Sequence, residues 1–236
     1  MLLSFVIPAH NEEYELGGAL ASIHAAAATV PHVHEIIVAD DASADRTAEI
    51  ALAAGARVVR IERRQIAAAR NAGAREARGD VLFFIDADTH IFPEHITGAL
   101  GALKEGCVGG GARIHIADKI PLWAKAFLAV FSALYFGAGL GAGAFLFTTR
   151  ENFRAAGGFD EQYFAGEEVY FTWALRKRGC FKILRTPVVT SGRKLRLHSA
   201  SKILGYTLRV LIRGRQMVKS REHLDLWYDG KREGAA

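Results

Sequence analysis

Val81-Leu82-Phe83-Phe84-Ile85 is a run of five apolar residues, preceded by Gly79-Asp80 and followed by Asp86-Ala87-Asp88-Thr89. Its β-branched and aromatic content suits a strand, and it is too short for a buried helix. It is therefore expected to be a central strand covered on both faces. Where the run stops, two aspartates appear with one small residue between them. In extended backbone, residues i and i+2 point to the same side, so Asp86 and Asp88 would face one cleft. Two carboxylates placed there repel unless a cation lies between them, and hard oxygen ligands of this kind suit Mg²⁺ or Mn²⁺. In open α/β sheets, ligands bind beyond the carboxyl ends of the strands. A solvated Asp-x-Asp turn is the competing reading of the tripeptide, and the rest of the chain decides between them.

Apolar runs recur upstream. Leu3 to Ile7 is broken by Pro8-Ala9-His10-Asn11-Glu12-Glu13, where Asn11 is a candidate N-cap and the two glutamates would occupy the first helical turn. That helix is expected to run to Ala28. Glu35 to Ala39 is a second strand, followed by Asp40-Asp41-Ala42-Ser43-Ala44-Asp45, in which Ser43 or Asp45 can cap the next helix. Val58 to Ile61 is a third strand, and Ile66 to Ala77 a helix ending before Gly79. Strands alternating with helices of about ten to fifteen residues predict a mainly parallel α/β sheet with helices on both faces. Twice an apolar strand delivers paired aspartates at its carboxyl end. No G-x-G-x-x-G follows the first strand and no G-x-x-x-x-G-K occurs, which disfavours dinucleotide and Walker-type phosphate sites. Gly109 to Gly111 and Gly139, Gly141 and Gly143 fit either close backbone approach to a ligand or packing.

At 236 residues, half of them hydrophobic, the chain can bury a full core. Its charge is uneven: residues 1–169 hold 14 Lys and Arg against 21 Asp and Glu, a net of −7, whereas residues 170–236 hold 16 against 4, a net of +12. A nucleic-acid-binding protein would spread its basic charge over a reading surface with aromatics, so nucleic acid is not an expected partner. Cys107 and Cys180 give no disulfide framework or metal spacing and are expected to be reduced thiols. With no basic region ahead of the short apolar start, a cytoplasmic location is expected.

Four segments then stand in a recognisable order. VIPAHNEE, IIVADDASADRT, AAARNAGAREARGDVLFFIDADT and GAFLFTTRENFRAAGGFDEQYFAGEEVYFTWALRKRG resemble, in sequence and spacing, the family 2 glycosyltransferases over residues 3–180. The resemblance implies a GT-A fold, with residues 1–110 as a nucleotide-sugar-binding half and residues 111–190 as the acceptor-binding half of the same domain. Residues 191–236 would form a basic helical tail. It implies transfer of one sugar from a UDP- or GDP-type donor to an acceptor hydroxyl, metal-dependent and inverting. The Q-x-x-R-W signature of processive members is absent.

By the same resemblance, Pro8, Ala9 and Glu13 match the loop that touches base and ribose, and Asp41, with Asp40 beside it, matches the aspartate that reads the base. Arg70 matches a basic residue near the nucleotide, while Asn71 braces backbone. Asp86 and Asp88 match the D-x-D motif, the second ligating Mn²⁺ or Mg²⁺ on the donor diphosphate. Glu167-Glu168 stands where the family has Glu-Asp. Glu168 is therefore the expected base, with Glu167 as the alternative if the longer side chain shifts the role. Two acids capping the helix that begins there would fit the helix dipole as well. His198 matches a tail histidine that ligates metal in some relatives; a surface or packing role is the alternative. A sugar-nucleotide nucleotidyltransferase would need a glycine- and basic-rich loop where this chain has PAHNEE. A basic nucleic-acid-binding protein or a non-catalytic scaffold are the rivals outside that class.

Ala126 to Phe147 carries no charged residue, yet its second half is crowded with glycine, and the helix that remains, Pro121 to Phe136, is short of the roughly twenty residues a span needs. Trp123, Phe127, Phe131 and Tyr135 recur every four residues, which fits core packing or a helix set in a membrane interface. From Arg193 to Arg221 there are nine Lys and Arg and no acid, a basic amphipathic pattern expected to form a helix from Ala200 to Arg221 and to seek an anionic surface. These segments predict a peripheral protein on the inner face of the cell membrane, acting on a lipid-linked acceptor.

Overall fold

The computed structural model describes residues 1–117, 120–193, 196, 199–220 and 224. Eight strands form one sheet: β1 (Leu2–Ala9), β2 (Val33–Asp41), β3 (Arg57–Ile61), β4 (Val81–Ile85), β5 (Thr89–His90), β6 (Gly109–Ile116), β7 (Phe145–Thr149) and β8 (Phe181–Thr190). Their order is β3-β2-β1-β4-β7-β6-β8-β5. The first four are parallel, β6 is parallel to β8, and β7 and β5 run antiparallel to their neighbours. The mainly parallel α/β sheet expected from the sequence is present.

The expected central strand occupies Val81–Ile85 and is buried throughout. Its alternation splits the core in two. Val81, Phe83 and Ile85 face a layer built with Leu16, Leu20 and Ile23 of α1 (Leu16–Ala27) and Ile96 of α4 (Pro93–Lys104). Leu82 and Phe84 face the opposite layer, with Ala67 and Ala74 of α3 (Ile66–Glu76), Phe153 of α6 (Arg150–Ala155) and Phe171 of α7 (Glu167–Arg176). Phe83 stacks on Phe5 at 4.9 Å, and Phe84 meets Phe159 edge-on at 4.9 Å. The remaining helices are α2 (Thr47–Ala53), α5 (Leu122–Gly137) and α8 (Ala200–Arg213), the last followed by a 3₁₀ turn over Gly214–Lys219.

The chain leaves β4 at Ile85 and by Thr89 is in β5, which pairs with β8 and lies four places from β4 in the strand order. In a flat sheet that is about 19 Å at the usual strand spacing, whereas four residue steps reach at most about 14 Å. The sheet must therefore curl towards its β8 edge, and Asp86-Ala87-Asp88 is the link drawn across the mouth of the curl.

Four local expectations are corrected. Asn11 is not an N-cap: α1 begins only at Leu16, and Asn11 sits at φ 52°. Its Oδ1 accepts the Ala44 N–H at 2.8 Å and its own N–H donates to Ser43 Oγ at 2.9 Å, so the loop after β1 is stapled to the loop after β2. The predicted helix from Ala200 to Arg221 is helical to Arg213 and then tightens to 3₁₀; Arg221 lies outside the described residues. The cysteines are joined as a disulfide, Cα atoms 4.4 Å apart. Each stands just ahead of β6 or β8, and the parallel register of those strands sets Gly109 opposite Phe181. The N-cap of α2 is Arg46, without a side-chain cap bond, and Asp45, one residue ahead of it, accepts the Thr47 N–H at 3.0 Å.

Candidate active site

The curled sheet and α5 enclose a cavity of about 820 Å³ beyond the end of β4. Its polar wall is formed by Arg70, Asp86, Asp88, Glu167, Glu168 and Arg193. Its apolar wall carries Ile114 and Ile116 of β6 with Leu128, Phe131, Tyr135 and Phe136 of α5.

Arg70 organises the polar wall. It is the largest fully buried side chain, 1% exposed, and comes from the first half of α3, whose other buried positions are alanine and glycine. Those small residues let the helix lie close to β1 and β2, and the long arginine then crosses under the strand ends. Its Nη2 donates to Asp86 Oδ1 at 2.8 Å and to Gly143 O at 3.1 Å, and its Nη1 to Glu167 Oε1 at 2.5 Å. A Cβ on Gly143 would stand 2.6 Å from that guanidinium, so the glycine is there for packing. Burial works against the arginine's charge, but Asp86, Glu167 and Glu168 together raise its pKa. The next residue, Asn71, braces backbone as expected: its Nδ2 donates to Phe159 O at 2.8 Å and its Oδ1 accepts the Phe159 N–H at 2.9 Å. This holds the loop that leads to Gly166, in the left-handed region at φ 72°, and so sets where α7 begins.

Glu167 and Glu168 open α7, but successive helix positions diverge by about 100°. Glu167, 3% exposed, turns to Arg70. Glu168 is half-buried and faces the cavity near the hydroxyl of Tyr135. Burial, and then the neighbouring Glu167 carboxylate, push the Glu168 carboxyl up to about 8, against the pull of Arg70. The two adjacent acids thus have different tasks: Glu167 neutralises a buried arginine, and Glu168 is a carboxyl near neutrality facing open space.

Asp88 takes a hydrogen bond on Oδ1 from Thr190 Oγ1 at 3.2 Å, and its Oδ2 lies 3.8 Å from Arg193 Nη2. Arg193 is itself fixed by Glu12, which accepts from both of its Nη groups at 3.0 Å. Sequence reasoning singled out Glu13 and missed Glu12 and Arg193. The partners are 181 residues apart, and nothing in the sequence joins them. Thr190 and Tyr135 were also missed as site residues.

Pro8, Ala9, Glu13, Asp40 and Asp41 do not line this cavity. They lie at the carboxyl ends of β1, next to β4, and of β2, beyond β1 and parallel to it, or in the loop after β1, hence at the same end of the strands. Asp41 is buried and accepts the backbone N–H groups of Arg63, Arg64 and Gln65, each at 2.7 Å; Asp40 accepts that of Ser43 at 3.1 Å. Glu13 accepts the Arg46 N–H at 3.4 Å. His198 lies outside the described residues. Among the described residues no group of three or more His, Cys, Asp or Glu is poised around a cation. Asp86 and Asp88 both line the cavity, and Mg²⁺-type sites on phosphate substrates need only one or two carboxylates, the rest of the shell coming from phosphate and water.

The sequence model of the family described as "Glycosyl transferase family 2" matches residues 4–165. An undecaprenyl-phosphate 4-deoxy-4-formamido-L-arabinose transferase of Pseudomonas paraeruginosa is 39% identical over 102 residues, 40% of this chain and 30% of that protein. Its counterpart in Yersinia enterocolitica is 32% identical over 129 residues, 50% of this chain and 38% of that one. The chain thus spans about a third of the length of the curated relatives it matches. Among solved structures, Staphylococcus aureus TarS 1–349 in complex with UDP-GlcNAc superposes with TM-score 0.65 at 19% identity, over 90% of this chain and 65% of that one. Glucosyl-3-phosphoglycerate synthase of Mycobacterium tuberculosis, with Mn²⁺, UDP and phosphoglyceric acid, gives 0.62 at 23%, over 89% and 75%. These likenesses fix the fold as GT-A.

Proposed function

Because the chain belongs to glycosyl transferase family 2, we propose that it transfers one sugar from a nucleoside-diphosphate donor of UDP or GDP type to a hydroxyl on a lipid-linked acceptor, with inversion. The observation that carries this reading is the division of labour between Glu167 and Glu168. A hydroxyl nucleophile needs a base, and Glu168 is a cavity-facing carboxyl whose affinity for protons is raised close to the working range.

The donor would lie along the strand ends, with Pro8, Ala9, Glu13, Asp40 and Asp41 around base and ribose and its diphosphate towards Asp88. A divalent ion held by Asp88 and Asp86, with His198 as a further candidate ligand, would supply Lewis-acid stabilisation of the departing diphosphate. Arg193, already beside Asp88, adds fixed positive charge on the same side. Glu168 takes the proton of the acceptor hydroxyl as its oxygen attacks the anomeric carbon. The bond from that carbon to the diphosphate breaks on the opposite face, so configuration inverts. Arg70 holds Asp86 and Glu167 in place and is too enclosed to meet the acceptor.

A hydroxyl suits this cavity better than a phosphate. Four carboxylates face it, and of the lining cations Arg70 and Arg193 are already paired, leaving Lys125 of α5. The apolar wall suits a lipid-linked acceptor. The named relatives are undecaprenyl-phosphate transferases, and the nucleophile of that lipid is a phosphate oxygen, so they support the lipid and not the hydroxyl. No helix of the described residues is long and apolar enough to cross a membrane. The basic run from Arg193 to Arg221 and the outward Leu122 and Leu134 of α5 support a peripheral place on the inner face of the cell membrane.

A panel of sugar nucleotides with Mn²⁺, scored by thermal shift, identifies the donor; a ligand at 100 times its Kd should add about 2.7 kcal/mol. With that donor, Glu168→Gln should bind normally and transfer slower by about 10² or more. If Glu167→Gln shows that pattern and Glu168→Gln remains active, the two roles are reversed.

A further inference from the structure

Residues 168, 172 and 176 are spaced four apart, so Glu168, Thr172 and Arg176 share one stripe of α7. All three meet the C-terminal end of α5. Arg176 Nη1 donates to Ala138 O at 2.6 Å, just past the last residue of that helix. Thr172 Oγ1 accepts the Gly141 N–H at 3.2 Å, and Gly141 O accepts the hydroxyl of Tyr135 at 2.9 Å. Glu168 stands one turn before Thr172 on that stripe and lines the same cavity as Tyr135, which brings its carboxyl to the side of the phenol. Gly141 is a tight anchor: a Cβ there would stand 2.5 Å from Leu146 and 2.8 Å from Phe181. The Tyr135 ring is held too, stacked on Phe131 at 5.2 Å.

A phenol has one proton to give and lone pairs to accept with. While its O–H points at Gly141, Tyr135 can only accept from a protonated Glu168. Once Glu168 is ionised, the same O–H can turn to the carboxylate, the stronger acceptor. In the second state the bond to Gly141 is given up, and the ring, stacked on Phe131, keeps the phenol oxygen in place beside the carboxylate. Arg70 from α3, Asp86 from the end of β4 and Glu167 from α7 itself are the other charged groups acting on Glu168.

We propose that Tyr135 is a positioning residue for the transfer: seated by its ring on Phe131, its hydroxyl leaves Gly141 for the ionised Glu168 and holds that carboxylate in the orientation that receives the acceptor's proton. The assignment rests on Glu168 being the base. It makes the seating of α5 against α7 a condition of turnover, because the helix that lines the acceptor cavity also aims the group that activates the acceptor.

Tyr135→Phe keeps the ring and removes only the hydroxyl. Losing a hydrogen bond to a charged group should lower kcat about tenfold, with donor Kd and acceptor KM unchanged and the thermal midpoint lowered only by what the lost bond to Gly141 accounts for, about 2–4 °C. In a Glu168→Gln background the same substitution should cost nothing further, since its effect passes through Glu168. An undiminished kcat, or an equal fall in both backgrounds, overturns the assignment. A chain without transferase activity would refute the base reading instead. The contact is therefore also measured without substrate, by carbon-13 NMR of the Glu168 carboxyl, identified by its loss in Glu168→Gln. A resonance that moves in Tyr135→Phe supports the proposal, and one that stays in place overturns it whatever the activity.

Discussion

Replacing Arg70 by methionine tests the polar wall most directly. The substitution keeps an unbranched buried side chain and removes a guanidinium that holds Asp86, Glu167 and the Gly143 carbonyl. Two carboxylates then face each other without their cation. Breaking a buried ion pair by removing one partner costs about 3–5 kcal/mol. Part of this is offset, because Arg70 Nε is buried with no partner among the described residues, and an unmet donor costs about 1–3 kcal/mol that methionine does not incur. A net loss of about 2 kcal/mol is expected from the middle of the two ranges. For a chain of this size that corresponds to roughly 4–8 °C in Tm.

The sign of its pH dependence follows. Without Arg70, the folded-state pKa of Glu167 rises further above its unfolded value, so the loss accumulates as pH rises from the ordinary glutamate range through that folded value. Urea unfolding at pH 5 and pH 8 should show a smaller deficit at pH 5. The double variant Arg70→Met/Glu167→Gln should recover part of it, since one stranded charge is gone. A deficit below about 1 kcal/mol at pH 8, or one equal at both pH values, would refute the argument that Arg70 neutralises a buried acidic pair.

Asp88→Asn should abolish the Mn²⁺-dependent gain in nucleoside-diphosphate affinity and leave the fold intact; calorimetry giving the same affinity with and without metal in the unmutated protein removes the metal from this site. Since the Glu168 carboxyl is held up to about 8, transfer should rise about tenfold per pH unit below that value and level off above it, and Glu168→Gln should lose the limb. The same raised pKa means that the stability contributed by the protonated form is lost as pH rises from the usual 4.5 to about 8. Glu168→Gln should therefore melt above the unmutated protein at pH 9 and close to it at pH 4; a constant offset would contradict this. Binding to anionic vesicles should weaken with salt without vanishing, each Lys or Arg near the surface contributing about 1 kcal/mol. Replacing the outward Leu122 and Leu134 by serine should remove the salt-resistant part. Sedimentation indifferent to lipid charge would sink the electrostatic half.

What could be read beforehand depended on how local the cause was. Val81–Ile85 came out with its exact bounds because both faces of the strand are apolar and both ends are polar, a pattern carried by the residues themselves. The start of α1 was misplaced because Asn11 and Glu13 look like a helix entrance in sequence, while their hydrogen bonds go to the loop after β2, more than thirty residues on. Arg70 was expected beside the nucleotide, but its guanidinium is spent on Asp86 and Glu167, 16 and 97 residues away. Glu167 and Glu168 could not be separated in one dimension; the helical rotation between neighbours gives one to the core and the other to the cavity. Cys107 and Cys180 are 73 residues apart, and only the register of β6 on β8 brings them together.

α5 was the segment whose sequence fitted two environments, and the structure accounts for why. Only Ala124 is buried. One side presents Leu128, Phe131, Tyr135 and Phe136 to the cavity. Away from it, Leu122 is 82% exposed, Val130 62% and Leu134 71%, an apolar surface that a soluble monomer has little reason to keep. Phe127, Phe131 and Tyr135 stack in succession at 5.8 and 5.2 Å, so the aromatic spacing noted in the sequence is a ladder along the helix. That ladder ends at Tyr135, beside the Glu168 carboxyl. If the outward leucines rest in a bilayer interface, the same helix offers a lipid-borne hydroxyl a continuous apolar path from that surface to the base. The basic segment beyond β8 would hold the interface close, and the hydrophobic positions of α5 would set where the acceptor enters.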